Sequence, residues 1–377
     1  MRPPPLRLIA SQEAFDAAGR HFAAESVLGL DTEFVRTRTY YARLGLIQVA
    51  DPSGVWLLDT VGVPSLRTFE PILLDAGVER VLHSCSEDLG VFLHHFGSLP
   101  ASIFDTQVAA SLVGLGFSLS YQALVGQVLG VSLAKEETRS DWTARPLSEA
   151  QLEYAARDVS FLLPLYEHLL DRLRALGRES WAREEFARLL DPARYEVEPA
   201  EAFRRVKGAG GLDRRGLAVL QSVCEWREEE ARQSDLARPF VVRDEALLEL
   251  ARKRPLRYGD LREIAALPAR ERRRYGRALL GAIERAARIP EHKLPRQAPR
   301  APRIERSGEL VKGLQALVAE RARELGVAPE MLAHKRMLER LVREVAGRGS
   351  RELPPELEGW RRDVVGIPAL SYLDAAL

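Results

Sequence analysis

Three runs rich in Val, Leu and Ile crowd into residues 27–60: VLGLDTEF, LGLIQVAD and GVWLLDT. Nine residues separate the first run from the second, and two separate the second from the third. A parallel crossover needs about a dozen residues or more, so these runs predict a mostly antiparallel start, with DPSG as the second turn. LRLIA ahead of them reads as a further strand, and Ser11 opens a capped amphipathic helix over SQEAFDAAGRHFAAE. Beyond residue 60 strands and helices alternate: a helix near residues 66–76, the strand RVLHS, a helix through EDLGVFLHHFG and the strand SIFDT. Several helices follow, ending in the long SEAQLEYAARDVSFLLPLYEHLLDRLRALG. An antiparallel start continued by βαβ units predicts an α/β mixed sheet with helices packed on its faces.

From about residue 200 no strand run appears. DRRGLAVLQSVCEWREEEARQ, RDEALLELARK and GRALLGAIERAAR are helical patterns, KGAGG is the loop that enters them, and IPEHKLPRQAPRAPR breaks them as an extended basic linker. A second helical segment runs from about Ser307. At an offset of 91 it repeats the first faintly, setting Arg232 on Arg323, Phe240 on Met331, Val241 on Leu332, Leu247 on Leu338 and Leu250 on Leu341.

A length of 377 residues predicts two or three domains. No run of about 18 apolar residues exists, since FLLPLYEHLL is cut by Pro164, Glu167 and His168, so no membrane span is expected. The N-terminal MRPPPLRLIA lacks a signal-peptide pattern, and the expected location is cytoplasmic. Cys85 and Cys224 fall in different predicted domains and read as core thiols. The net charge of +1 hides an asymmetry: residues 1–192 carry 17 Lys and Arg against 25 Asp and Glu, and residues 193–377 carry 38 against 29. Within the basic half, residues 251–303 hold 16 basic and 5 acidic side chains, a footprint suited to a polyanion or to solvated Arg-rich helix faces.

The acidic half carries the chemistry. Residues two apart on a strand share a face, so Asp31 and Glu33 project together and repel unless a cation lies between them. Tyr154 and Asp158 are one turn apart on a helix. Glu87 and Asp88 lie just inside a helix start after Ser84 or Ser86. Carboxylates from three segments suit hard divalent cations, and a pair of such ions can hydrolyse a phosphodiester with no nucleophilic Ser or Cys. In that arrangement the Tyr154 hydroxyl would hold the attacking water in line. Each piece also has a plain structural reading: an edge feature, complementation of a helix dipole, or core packing. His83, His94 and His95 offer no convergent zinc site, because adjacent helical residues point apart.

The order DTE, then an Asp about fifty-five residues on, then Y-x-x-x-D about seventy residues later resembles the DEDD exonuclease superfamily in its tyrosine subclass. LDTEFVRTRTYYARLGLIQ, HSCSEDLGVFLHHFG, FDTQVAAS, TRSDWTARPLSEAQLEYAARDVSFLLPL and FVVRDEAL resemble the ribonuclease D family, with matching spacing over nearly the whole chain. The resemblance implies a ribonuclease H-like (DnaQ-type exonuclease) mixed sheet followed by two all-α modules of the HRDC (helicase and ribonuclease D C-terminal) type. It places the exonuclease domain at residues 1–195, the first HRDC module at 205–290, a Pro-rich basic linker at 291–304 and an HRDC-like second module at 305–377.

Carried over residue by residue, the resemblance makes Asp31, Glu33, Asp88 and Asp158 the acids of a site for two divalent ions, Mg²⁺ or Mn²⁺, with Tyr154 orienting the water. Glu87 is left at the surface. Asp105 matches the family pattern but also reads as a helix cap, and is not assigned to the metals. The implied activity is 3′→5′ exoribonuclease action that releases nucleoside 5′-monophosphates from the 3′ ends of transfer-RNA and other structured-RNA precursors, by an expected monomer. Around the acids, Arg36 and Arg38 are candidates for phosphate contacts, Tyr40 and Tyr41 for base stacking, and Lys135 and Arg139 for the entrance, while Trp142 reads as structural. Two alternatives remain open: the same chemistry on DNA, and a non-catalytic nucleic-acid scaffold, which would be expected to have lost an acid.

Overall fold

The computed structural model describes residues 5–133, 140–296, 304 and 306–377, and Lys135 and Arg139 therefore lie outside the described residues. Part of the predicted linker, residues 297–303, does too. The described chain divides into two compact units, one of Met1–Phe34, Leu44–Pro192 and Ala301–Leu377, the other of Val35–Arg43 and Ala193–Arg300.

The first unit is built on a six-stranded sheet. Its elements run β1 (Leu6–Ile9), α1 (Gln12–Phe22), β2 (Val27–Val35), β3 (Arg43–Asp51), β4 (Gly54–Asp59), α2 (Glu70–Leu74), β5 (Glu79–Leu82), α3 (Ser86–Phe96) and β6 (Ile103–Asp105). Five helices follow: α4 (Thr106–Leu112), α5 (Tyr121–Leu129), α6 (Glu149–Ser160), α7 (Leu162–Ala175) and α8 (Glu179–Leu189). The sheet order is β1-β4-β3-β2-β5-β6. β3 and β4 pair antiparallel, with Leu46 opposite Asp59, whereas β1 is parallel to β4, β2 to β5 and β5 to β6. The expected mixed sheet is thus present. The DPSG turn closes because Asp51 Oδ1 accepts the N–H groups of Ser53 and Gly54, at 2.7 and 2.9 Å.

One long helix of the sequence reading is in fact two. α6 ends at Ser160 and α7 starts at Leu162, with Phe161 between them out of helical conformation (φ −113°, ψ 4°). Pro164 lacks an N–H, and its ring clashes with the carbonyl one turn back, so the break falls just ahead of it.

The helices of the second unit are α9 (Arg214–Gln233), α10 (Arg238–Val241), α11 (Asp244–Lys253) and α12 (Ala269–Ala287). They close on a core that includes Leu220, Val223, Leu247, Leu250 and Ile283. Residues 307–377 form α13 (Ser307–Leu325), α14 (Pro329–Leu332), α15 (Lys335–Arg348) and α16 (Ile367–Ala376). The faint repeat of the sequence is sharp in the backbone: α9-α10-α11 and α13-α14-α15 share one design. At the offset of 91, Leu236 N–H bonds Ala231 C=O (3.0 Å) as Val327 N–H bonds Ala322 C=O (2.9 Å). Likewise Val242 bonds Arg238 (3.1 Å) as Ala333 bonds Pro329 (3.0 Å). Asp235 and Gly326 take the same left-handed turn, with φ of 47° and 63°.

The second copy packs within the unit that holds the sheet. Trp360 stacks on Trp181 with ring centroids 4.5 Å apart and planes at 13°, and its indole N–H donates to Glu185 (2.8 Å). Arg361 pairs with the same carboxylate at 2.5 Å and donates to the Met331 carbonyl at 2.9 Å. Arg178 bridges Leu112 C=O and Leu325 C=O, each at 2.6 Å. Cys85 and Cys224 are buried free thiols, as expected.

Candidate active site

β2 pairs with β5 through Val27, Leu28 and Gly29, and its carboxyl half runs on past the shorter strand. Asp31 and Glu33 stand on that half, on one face by strand alternation. α6 brings Asp158 to the same place. One carboxylate oxygen from each of Asp31, Glu33 and Asp158 lies within 4.8 Å of the others.

Asp88 joins from the side. Alternation turns Thr32 away from its two acidic neighbours, and there its buried hydroxyl donates to Asp88 Oδ1. Asp88 is 7% exposed, on the first turn of α3, whereas Glu87 beside it is exposed, as the resemblance implied. Neither Ser84 nor Ser86 caps α3. Ser84 sits in a left-handed turn (φ 58°), and α3 begins after Cys85 with no side-chain cap. The turn is held by Asp105, which accepts the N–H groups of Ser84 (3.2 Å) and Cys85 (3.0 Å) while capping α4 through Gln107 (2.8 Å) and Val108 (3.1 Å). Asp105 is therefore a helix cap that also fixes the approach of Asp88.

α6 is fixed at both ends. Ser148 and Gln151 form a reciprocal capping box, and the Phe161 N–H at the far end donates to the Tyr121 hydroxyl at 3.0 Å. Ahead of the helix, Arg145 grips Asp59 with two bonds of 2.7 Å and thereby holds buried Trp142, whose ring lies 6.0 Å from that of Tyr154. Tyr154, one turn before Asp158, hydrogen-bonds its carboxylate.

Crowding carboxylates in a half-buried place raises their proton affinity, because hydration is reduced and no counter-charge offsets ionisation. Burial, followed by repulsion from Asp158 and Asp88, pushes Glu33 up from 4.5 to about 8. Burial likewise pushes Asp88 to about 7, against the opposing Thr32 hydrogen bond, and Asp158 to about 6. Asp31, facing all three other acids, is raised well above the carboxylate range, again mainly by burial. The Tyr154 hydroxyl is raised as well, first by burial and then by Asp158 and Glu33, so it stays protonated. A set of oxygen donors that resists ionising alone is a donor set for a hard divalent cation. Among the described residues this is the one such cluster of His, Cys, Asp or Glu.

The loop RTRTYYAR is tied down by its aromatics. Residues 35–43 belong to the second unit. The Tyr40 hydroxyl meets Glu228, Arg232 (3.1 Å) and Arg238 (3.1 Å), and its ring lies under the Arg238 guanidinium at 4.9 Å. Tyr41 packs edge-on against Tyr40 (4.8 Å), and its N–H donates to Asp235 at 3.0 Å. These two tyrosines anchor the loop within the second unit. Arg36 and Arg38 remain exposed, the latter with its guanidinium 5.7 Å from the Phe240 ring. His83 is committed to Thr106 (2.9 Å) and the Leu119 carbonyl (3.1 Å). His94 and His95 are exposed. Thr32, Tyr121 and the dual grip of Asp105 were missed by sequence reasoning; only Thr32, placed between two acids, carried a local signal.

Comparison with known proteins agrees with this geometry. The 3′-5′ exonuclease family matches residues 6–174, and the HRDC domain family matches residues 216–283. The ribonuclease D of Pseudomonas paraeruginosa is 40% identical over 373 residues, covering 99% of each chain. That of Escherichia coli K12 is 37% identical over 361 residues, covering 95% of this chain and 96% of its own. The crystal structure of Escherichia coli RNase D, described as an exoribonuclease involved in structured RNA processing, superposes with a TM-score of 0.89 at 35% identity, over 98% of this chain and 99% of that one. With its acids in a DnaQ-type sheet and relatives matched end to end, the chain belongs to the ribonuclease D family and is a nuclease of the hydrolase class.

Proposed function

We propose that the chain is a 3′→5′ exoribonuclease that releases nucleoside 5′-monophosphates and trims the 3′ ends of transfer-RNA precursors and other structured RNAs. The observation that carries this reading is the convergence of Asp31, Glu33 and Asp158 beside a protonated Tyr154. Asp31, Glu33 and Asp158 would hold one divalent ion, and Asp31 with Asp88 would face a second. When bound, Mg²⁺ or Mn²⁺ would supply Lewis-acid activation of water and neutralise charge at the phosphodiester.

The residues themselves divide the remaining work. Tyr154 keeps its proton and serves as a fixed hydrogen-bonding group for the attacking water, not as a base. Thr32 keeps Asp88 oriented, and Asp105 keeps the turn before it in place. The water oxygen bonds to the phosphorus of the terminal nucleotide and gives up a proton to solvent, the bond from phosphorus to the penultimate O3′ breaks, and that oxygen takes up a proton, leaving the shortened strand a 3′-hydroxyl. Ribonuclease D relatives along the whole length support RNA over DNA as substrate. No described helix is long and apolar enough to cross a membrane. Action in the cytoplasm as a monomer is part of the same proposal.

The test is digestion of 5′-labelled single-stranded RNA and matched DNA with Mg²⁺, Mn²⁺ or EDTA, beside an Asp31→Ala, Asp158→Ala double variant. A shrinking RNA ladder that needs metal and both acids is the expected result. Degradation of DNA alone would replace the substrate, and binding without cleavage of either would leave a scaffold.

A further inference from the structure

A cavity of about 620 Å³ opens within the second unit, walled by the loop Val35–Arg43, the segment before α9 and the start of α11. Its volume falls within the usual range for small-molecule sites, about 300–1,000 Å³. Five arginines line it. Two are committed: Arg227 to Asp244 at 2.6 Å, and Arg238 to the fully buried Glu228 through bonds of 2.5 and 2.6 Å. The other three, Arg36, Arg205 and Arg243, are exposed and form no ion pair with any described residue. Glu245 is the one lining carboxylate left to set against them.

Arg243 feels the carboxylate of Glu271 without pairing to it, and three guanidinium groups free of ion pairs around one cavity favour an external anion, their planar forks matching phosphate oxygens. The cavity is much larger than a phosphate needs, and Val206 and Pro239 give it an apolar wall. An anionic group joined to a flat, weakly polar body would use both features. We propose that this cavity binds one nucleotide unit, a phosphate with its base, of the single-stranded RNA that the enzyme degrades. The proposal rests on the exoribonuclease reading above. A nucleoside 5′-monophosphate set free by the reaction presents the same chemistry, but the sequence favours the strand: Arg36 follows Glu33 of the candidate active site by three residues. Tyr40, fixed by Glu228, keeps that loop at the cavity wall.

The test uses the full chain in EDTA, so that RNA is bound and not cut, with fluorescence anisotropy of a 5′-labelled 12-nucleotide RNA. Each phosphate contact on a single strand contributes roughly 0.7 to the logarithmic salt slope. An Arg205→Gln, Arg243→Gln variant is therefore expected to bind roughly 10- to 30-fold more weakly at 0.1 M salt, with the slope reduced by about 1.4. Arg262→Gln, an exposed cation of the same unit outside the cavity, is expected to change affinity less than threefold. Arg205→Lys, Arg243→Lys should recover most of the slope, and unchanged circular dichroism shows that the variants fold. Calorimetry with AMP separates the sources: AMP binding that the Gln variant loses while its RNA binding is unchanged assigns the cavity to the free nucleotide, and RNA binding weakened in the variant assigns it to the strand. If wild type binds RNA and the Gln variant binds equally well, the cavity proposal falls and the exoribonuclease reading stands. If wild type binds no RNA, both fall.

Discussion

Removing divalent ions should make this protein less stable as pH rises, and Glu33 should account for much of the loss. In the unfolded chain Glu33 loses its proton near 4.5, but in the folded, ion-free site it holds it to about 8. Below about pH 4.5 both states are protonated and Glu33 contributes nothing. Between 4.5 and 8 the folded state keeps a proton that the unfolded state has released, so stability falls with rising pH at about 1.4 kcal/mol per unit. Above 8 the penalty is complete, at about 5 kcal/mol for this group alone. Asp88 and Asp158 are themselves the charges that repel Glu33, so their contributions are not added to it. The perturbation is EDTA at pH 5.5 and 8.5, read as thermal unfolding by circular dichroism for wild type and Glu33→Gln. Over that interval the Glu33 share is about 3 kcal/mol, or roughly 6–12 °C in Tm for a unit of this size. Wild type should lose that much more than Glu33→Gln, and Mn²⁺ should restore wild type at pH 8.5 far more than at pH 5.5. Equal pH dependence in the two proteins would refute the reasoning, because it would mean that the folded cluster ionises without cost.

Thr32→Val keeps the shape and removes the donor to Asp88, whose proton affinity should then rise; metal affinity by isothermal titration calorimetry is expected to fall roughly tenfold, with the acid limb of the activity profile moved upward. Arg361→Met removes the buried partner of Glu185, which keeps Arg188 at 3.1 Å, and should cost about 1–3 kcal/mol in urea unfolding, while no measurable loss would show that the Trp181–Trp360 stack holds this contact by itself. Gln48 lies fully buried in β3 with both amide atoms unpartnered, so Gln48→Leu should stabilise the unit by about 1–3 kcal/mol; destabilisation would show that the amide has a partner in solution.

What the sequence made legible is what local periodicity encodes. Strand alternation placed Asp31 with Glu33, and helical spacing placed Tyr154 over Asp158, because both patterns repeat within a few residues. The choice of Asp88 over Glu87 came from resemblance alone, since both sit on the first turn of α3. The signal for the break at Phe161 was present in Pro164, and the apolar run of the two helices concealed it. The anchoring of Tyr40 was hidden for a different reason. Its partner Glu228 lies 188 residues away, and a polar loop with aromatics looks the same whether it meets a ligand or its own chain. The docking of Trp360 on Trp181 was equally invisible, being a contact between distant segments with no shared pattern.

That last contact also orders events in time. The catalytic unit is interrupted in sequence: residues 193–300 build the other unit, and Trp360 and Arg361, which cover Trp181 and Glu185, come seventeen and sixteen residues before the end of the chain. During synthesis the acids at positions 31 to 158 leave the ribosome long before the surface that completes their unit. Full assembly of the nuclease unit must therefore wait for a segment made about two hundred residues after Asp158, which delays a finished RNA-degrading site while its own messenger is still being read.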